Sequence, residues 1–296
     1  MSDELNFLFY LLVSGVSIGM MYSLIALGFV LVNKATDAIN FAQGEFVMLA
    51  GFMVATLLGW IPLWAAIVVG IALMVGFSFV LEKVVLRPML GRPVVAVIMA
   101  TIGLAAILRG LPPITVGADT RTIPLPIGDS PVPILSATLP PIQVLGVIVA
   151  ILSIAACTWF FAKSRMGVAM RAVADNQQVA MAMGINVERY FAIAWAMAGI
   201  VAALGGIIWG SMLGVDTQIA VVGLKVFPVV ILGGLDSIIG CVVGGLIIGV
   251  VESIAAGYLD PLVGGGTKDF APYVVMIITL MFKPYGLFGK HRIERI

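Results

Sequence analysis

Apolar residues run through this chain in long blocks broken by short polar stretches, not in the alternation of half-buried strands. Nine blocks stand out, at positions 5–32, 41–60, 63–81, 94–108, 142–162, 190–213, 221–235, 238–256 and 270–282. At about 1.5 Å of rise per residue, roughly 20 apolar residues cover about 30 Å of hydrocarbon. The pattern therefore predicts an all-α, polytopic transmembrane helix bundle of eight or nine spans. The blocks at 221–235 and 270–282 are short, which predicts helices that tilt or break inside the bundle.

Composition agrees with lipid as the solvent: 61% of residues are hydrophobic and 10% charged, with a mean hydropathy of +1.17. Soluble domains carry about a quarter charged residues and need polar side chains on their outside. The net charge of +1 offers no basic face to a nucleic acid. Cys157 and Cys241 stand alone in apolar runs, so they read as small buried side chains and not as a disulfide or metal framework. Met1 to Glu4 hold two acids and no base, unlike a secretory signal, so the first block is expected to stay as a span.

Lys and Arg in short loops mark the cytoplasmic side. With nine crossings and the N-terminus outside, the inner loops hold Lys34, Lys83, Arg87, Arg92, Lys163, Arg165, Arg171, Arg189, Lys283, Lys290, Arg292 and Arg295. The outer loops hold Arg109, Arg121 and Lys268, a ratio of twelve to three. A dip and return at 221–235 would give nine to six, so nine crossings and a cytoplasmic C-terminus are expected. The outer loop 110–141 carries eight prolines, including Pro112 and Pro113, and is expected to be irregular.

The inner loop 163–188 has a different character. Its segment 166–183, MGVAMRAVADNQQVAMAM, is rich in the helix formers Ala and Met. Arg171, Asp175 and Gln178 form one polar face; Ala169, Ala172, Val173, Val179, Ala180 and Met183 form an apolar one. Gly184 is placed to end this helix in a left-handed conformation, and Asn186 to cap the next span. A helix lying on lipid would favour Trp or Phe opposite many Lys or Arg. Ala and Met suit a groove on a partner protein better.

Four stretches carry a family resemblance. NFAQGEFVMLAGF at 40–52 opens the second span after GMMYSLIALGFVLV. LRPMLGRPVVAVIMATIGLAAIL covers 86–108. SRMGVAMRAVADNQQVAMAMGINVERY leads into the span that ends at Gly210. GLKVFPVVILGGLDSIIGCVVGGLIIGVVES covers 223–253 and is followed by MFKPYGLFG at 281–289. In order and spacing the chain resembles the branched-chain amino acid permease family of ABC importers.

That resemblance implies a single permease domain, 1–296, in the bacterial cell inner membrane. It would be a subunit that moves Leu, Ile or Val into the cytoplasm; relatives of the family serve urea or short amides. It implies two ATP-binding subunits, a second homologous permease chain or a second copy of this one, a periplasmic substrate-binding protein, and no cofactor. The loop 163–188 would be the coupling element, with Arg171, Ala174, Asp175, Asn176 and Gly184 docking on the ATP-binding subunit. Pro228 departs from the small residue expected there and predicts an interrupted helix at 221–235.

Several residues invite a closer reading. Glu45, about five residues into its span, is costly as a buried carboxylate. It reads either as a gate or pathway residue, helped by Asn40 or Gln43, or as an interfacial side chain touching headgroups. Lys225 would cost roughly 2.5–3.5 kcal/mol at a helix centre. Four residues in from the outer end, it is expected to snorkel, with an ion pair to Glu252 as the alternative. Glycines at four-residue spacing, Gly15/Gly19, Gly206/Gly210, Gly240/Gly244 and Gly245/Gly249, predict close helix contacts.

No GxxxxGK[ST] phosphate loop occurs, and the fragment ending at Lys290 is followed by His291. No catalytic residue is therefore assigned. An ion-coupled secondary transporter is the competing class, since Glu45, Glu252 and the Pro228 region could serve coupling. It leaves the Ala-rich inner loop unexplained. A membrane-embedded enzyme would need polar residues clustered at one depth in the spans, and the pattern shows none.

Overall fold

The computed structural model describes residues 2–36, 39–89, 92–128 and 130–289. The basic residues Lys290, Arg292 and Arg295 and the tail His291 lie outside them. Helices occupy all nine predicted blocks: α1 Ser2–Thr36, α2 Gln43–Leu57, α3 Leu63–Leu81, α4 Val94–Thr115, α5 Pro141–Lys163, α8 Val187–Leu213, α9 Ile219–Gly233, α10 Ile238–Ile254 and α12 Thr267–Phe282. Two helices, α6 Arg165–Asp175 and α7 Gln177–Ala182, fill the inner loop, and a short α11 spans Asp260–Val263. Strands β1 Val132–Ile134 and β2 Ala137–Leu139 pair antiparallel within the proline-rich loop.

Six helical stretches among the described residues are long and apolar enough to cross a membrane: Asp3–Thr36, Leu63–Met89, Val95–Thr115, Pro141–Lys163, Val187–Leu213 and Ile238–Val263. The apolar α2 and α9 have 15 residues each, about 22 Å of helix. Length alone therefore does not reach the eight or nine crossings expected from hydropathy.

One expected break is absent: α9 runs through Pro228. α4 also continues past its expected end at 108, through Pro112 and Pro113 to Thr115, before the loop turns irregular. A proline removes a donor but keeps its carbonyl, and the Pro112 oxygen accepts from Val116 N at 2.8 Å. Such helices persist where packing re-satisfies the freed groups. One expected continuity is also absent. The predicted helix 166–183 divides at Asn176, whose extended backbone ends α6 while its side chain accepts from Val179 N at 3.0 Å and starts α7. Asn competes with helix by bonding its neighbours' amides, which is why it favours caps.

The chain forms two compact units. The first comprises Met1–Ala26, Ile127–Ile151 and Lys225–Ile296. Here glycines bring backbones into contact. A Cβ on Gly249 would strike Gly15 and Gly19 of α1, and one on Gly245 would strike Gly19 O and Ser23 Oγ. On the other face of α10, Gly240 and Gly244 abut Gly233 and Val229 of α9. After α12 the chain returns to the end of α9, where Leu287 N and Phe288 N donate to Leu232 O and Gly233 O at 2.8 and 3.1 Å. The last carbonyls of α9 thus gain partners that the helix itself does not supply.

The second unit comprises Leu27–Pro126 and Leu152–Leu224. α2 lies against α3 and α8, with Phe46 edge-on to Phe77 at 5.6 Å and tilted on Trp195 at 5.9 Å. Gly206 of α8 meets Val47 O, and Gly44 meets Gly223. The loop after α4 is tied down by Arg121, whose backbone bridges to Val215 and whose guanidinium reaches Thr56 Oγ1 and Val116 O at 3.2 and 2.7 Å. Val95, Met99, Ile102 and Ile107 of α4 stay exposed, an apolar surface suited to lipid.

Gly245→Ala is expected to lower the thermal stability of the detergent-solubilised protein by about 1–3 kcal/mol, through overpacking against α1. Gly103→Ala, whose new methyl meets nothing, should leave it unchanged or slightly raised. Equal melting temperatures for the two variants would contradict the packing.

Candidate functional site

The first chemical feature is the start of α2. Phe41 N donates to Thr101 Oγ1 at 3.3 Å, and Thr101 stands seven residues into α4, about 10 Å along that helix. The turn before α2 therefore lies alongside the body of α4, about two turns from its start. Asn40 and Gln43 are fully buried, and Glu45 is 3% exposed. Asn40 Oδ1 accepts from Ala42 N at 3.0 Å, and Asn40 Nδ2 donates to Gln43 Oε1 at 3.3 Å. Among the described residues Gln43 Nε2 has no hydrogen-bond partner. It is pressed against Gly28, where a Cβ would collide with it.

Glu45 pairs with Arg109 of α4, Nη2 to Oε1, at 2.5 Å. The pair neutralises Glu45 inside the protein through a base that neither expected setting named. A carboxylate in low dielectric demands such a partner. The Arg109 side chain, 45% exposed, reaches back from the far part of α4. Counting Arg109 as an outer-loop residue hid this pairing. The signal available was the unmet need of an intramembrane acid for a base.

The second feature is a charge network in the other unit. Lys225 Nζ lies 2.8 Å from Glu252 Oε1 and 2.8 Å from Asp269 Oδ1, and Tyr22 OH donates to Glu252 Oε2 at 2.7 Å. Lys225 therefore makes the ion pair to Glu252 given as the alternative, and a second one to Asp269. α1, α9, α10 and α12 each contribute one member, so the network joins four helices.

The third feature is the helix pair α6–α7. Ser164 caps α6, its Oγ accepting from Gly167 N at 2.8 Å. Gly184 follows α7 at φ +80, and Asn186 accepts from Arg189 N at 3.0 Å to start α8. Val173 and Ala180 pack inward on Val187 and Phe191 of α8. Val179 and Met183, expected on that same apolar face, are instead 57% and 77% exposed, beside exposed Met181. Splitting the helix at Asn176 rotates them outward. Asp175, Asn176 and Gly184 are exposed; Arg171 and Ala174 are half-buried.

Apolar helices of spanning length, with their charges paired within the protein, define a polytopic α-helical membrane protein. Residues 11–281 match the family described as branched-chain amino acid transport system, permease component, and the chain belongs to that family. It is 29% identical to the high-affinity branched-chain amino acid transport system permease protein LivH of Escherichia coli (strain K12), over 100% of both chains. It is 30% identical to the corresponding protein BraD of Pseudomonas aeruginosa, over 96% of this chain and 97% of that one. A probable branched-chain amino acid transport permease protein LivH of Methanocaldococcus jannaschii is 28% identical, over 90% and 88%. Among solved structures, PsaBC from Streptococcus pneumoniae in complex with Fab aligns with a TM-score of 0.48 at 14% identity, over 94% and 92%. The chain is thus a multi-pass transport component and not an enzyme by itself.

Arg109→Leu should destabilise the protein by about 3 kcal/mol, because it strands the Glu45 carboxylate. Glu45→Gln should cost less, and the double variant Glu45→Gln/Arg109→Leu should recover most of the loss. Thermal unfolding in detergent checks this. Additive losses in the double variant would contradict a direct pair.

Proposed function

We propose that this chain is a membrane-spanning subunit of an ATP-driven importer that moves leucine, isoleucine and valine into the cytoplasm. The observation that carries the reading is the α6–α7 pair, which offers exposed Val179, Met181 and Met183 beside Asp175 and Asn176. Soft apolar side chains of this kind fit a groove on a partner protein. Full-length similarity to permeases named for branched-chain amino acids supports the substrate class. The chain has no phosphate-loop motif, so hydrolysis falls to separate subunits.

In this reading residues 1–296 serve as one permease domain, with its N-terminus periplasmic and its C-terminus cytoplasmic. The loop 163–188 docks on one of two ATP-binding subunits through Arg171, Ala174, Asp175, Asn176 and Gly184. The loop 110–141 faces the periplasmic substrate-binding protein, and a second permease chain completes the pathway. Asn40, Gln43 and Glu45 line or gate that pathway. A buried amide with an unmade hydrogen bond costs about 1–3 kcal/mol, and an unsatisfied group of this kind calls for a functional reason. Gly240, Gly244, Gly245 and Gly249 hold α10 in place.

Asp175→Arg is expected to abolish co-purification of the ATP-binding subunit while membrane insertion stays normal. Uptake of labelled leucine by the unaltered complex should survive a protonophore and stop on ATP depletion. Full assembly of Asp175→Arg would remove the docking role. Uptake lost to the protonophore while ATP is maintained would favour an ion-coupled carrier.

A further inference from the structure

We infer that Glu188 and Arg87 form a clasp that makes α3 and α8 move as one body when α6–α7 is displaced. The inference rests on α6–α7 being the docking element, and it assigns the route by which force leaves that element. Four observations carry it, all within the second unit.

First, α6–α7 sits on the base of α8, with Val173 and Ala180 against Val187 and Phe191. Second, Glu188, in the first turn of α8, accepts from Arg87 Nη1 at 2.9 Å. Third, the same guanidinium grips Glu82 with its other edge, Nη2 to Oε2 at 3.1 Å and Nε to Oε1 at 3.3 Å. Glu82 is 1% exposed and opens a π-helical turn, Glu82–Leu86, that continues α3. Fourth, farther along the pair, a Cβ on Gly199 of α8 would meet Ser78 Oγ and Met74 O of α3.

α3 and α8 pack closely along their shared length, at Gly199 among other places, and Arg87 carries that coupling on to the base, where α8 receives the load from α6–α7. The planar guanidinium suits this task because its fork holds two carboxylates in fixed directions. The π turn has looser backbone bonding than an α turn and often marks a functional site. Arg87 fastens both its buried first residue and, through Glu188, the foot of α8. Glu188 is a positioning residue, acting through Arg87 and not on substrate.

The test uses the complete complex of permease chains and ATP-hydrolysing subunits, in vesicles with leucine and the binding protein. Glu188→Gln cuts only the exposed arm and leaves the Arg87–Glu82 pair in place. Partner retention and ATP hydrolysis should equal those of the unaltered complex, while leucine moved per ATP falls about twofold, the change that an exposed pair's coupling gives. Glu188→Lys, which sets a like charge beside Arg87, should lower that ratio further at the same retention. An unchanged ratio in both variants, with Asp175→Arg still blocking assembly, would overturn the clasp and leave the docking role standing. Loss of the ATP-hydrolysing subunit from Glu188→Gln would overturn it too, by making Glu188 part of the docking surface.

Discussion

Hydrocarbon offers no partner to a charge or to a free backbone dipole, so every such group at bilayer depth must be answered from within the protein. Much of this structure follows from that constraint. Glu45 is answered by Arg109, and Lys225 by Glu252 and Asp269, with Tyr22 holding the second oxygen of Glu252. The end of α9 is answered by the returning segment at Leu287 and Phe288. Each answer ties helices distant in sequence, so the polar groups specify packing that apolar surfaces alone would leave loose.

Close backbone contact supplies the rest of the specificity. Lipid is as apolar as leucine, so helices in a membrane gain little from hiding side chains and more from dense contact. α10 shows this on two faces, with Gly245 and Gly249 toward α1 and Gly240 and Gly244 toward α9. α2 and α8 do the same at Val47 and Gly206. Tight contacts of this kind transmit displacement, which a transport component requires.

Much of this was legible in the residue pattern. Runs of apolar residues marked every long helix, the glycine spacing marked the faces of α10, and the end signals at Gly184 and Asn186 sit where expected. Other features depend on tertiary partners that no local pattern reveals. The start of α2 is held against α4 by Thr101, sixty residues from Phe41, and Arg109 reads as a loop residue until the helix is seen to continue past it. Pro228 stays within a helix, although taken alone it signals a break. Asn176 was legible as a cap in principle, but the surrounding Ala and Met spoke for one continuous helix.

The proposed function requires α6–α7 to stand on the cytoplasmic side, where an ATP-driven partner would push it. Met183→Cys places a thiol on its exposed surface, while the native Cys157 and Cys241 are buried. Labelling with a membrane-impermeant maleimide tests the claim most directly. Modification in inside-out vesicles with protection in intact cells is the predicted result, and modification from the outside of intact cells would contradict it.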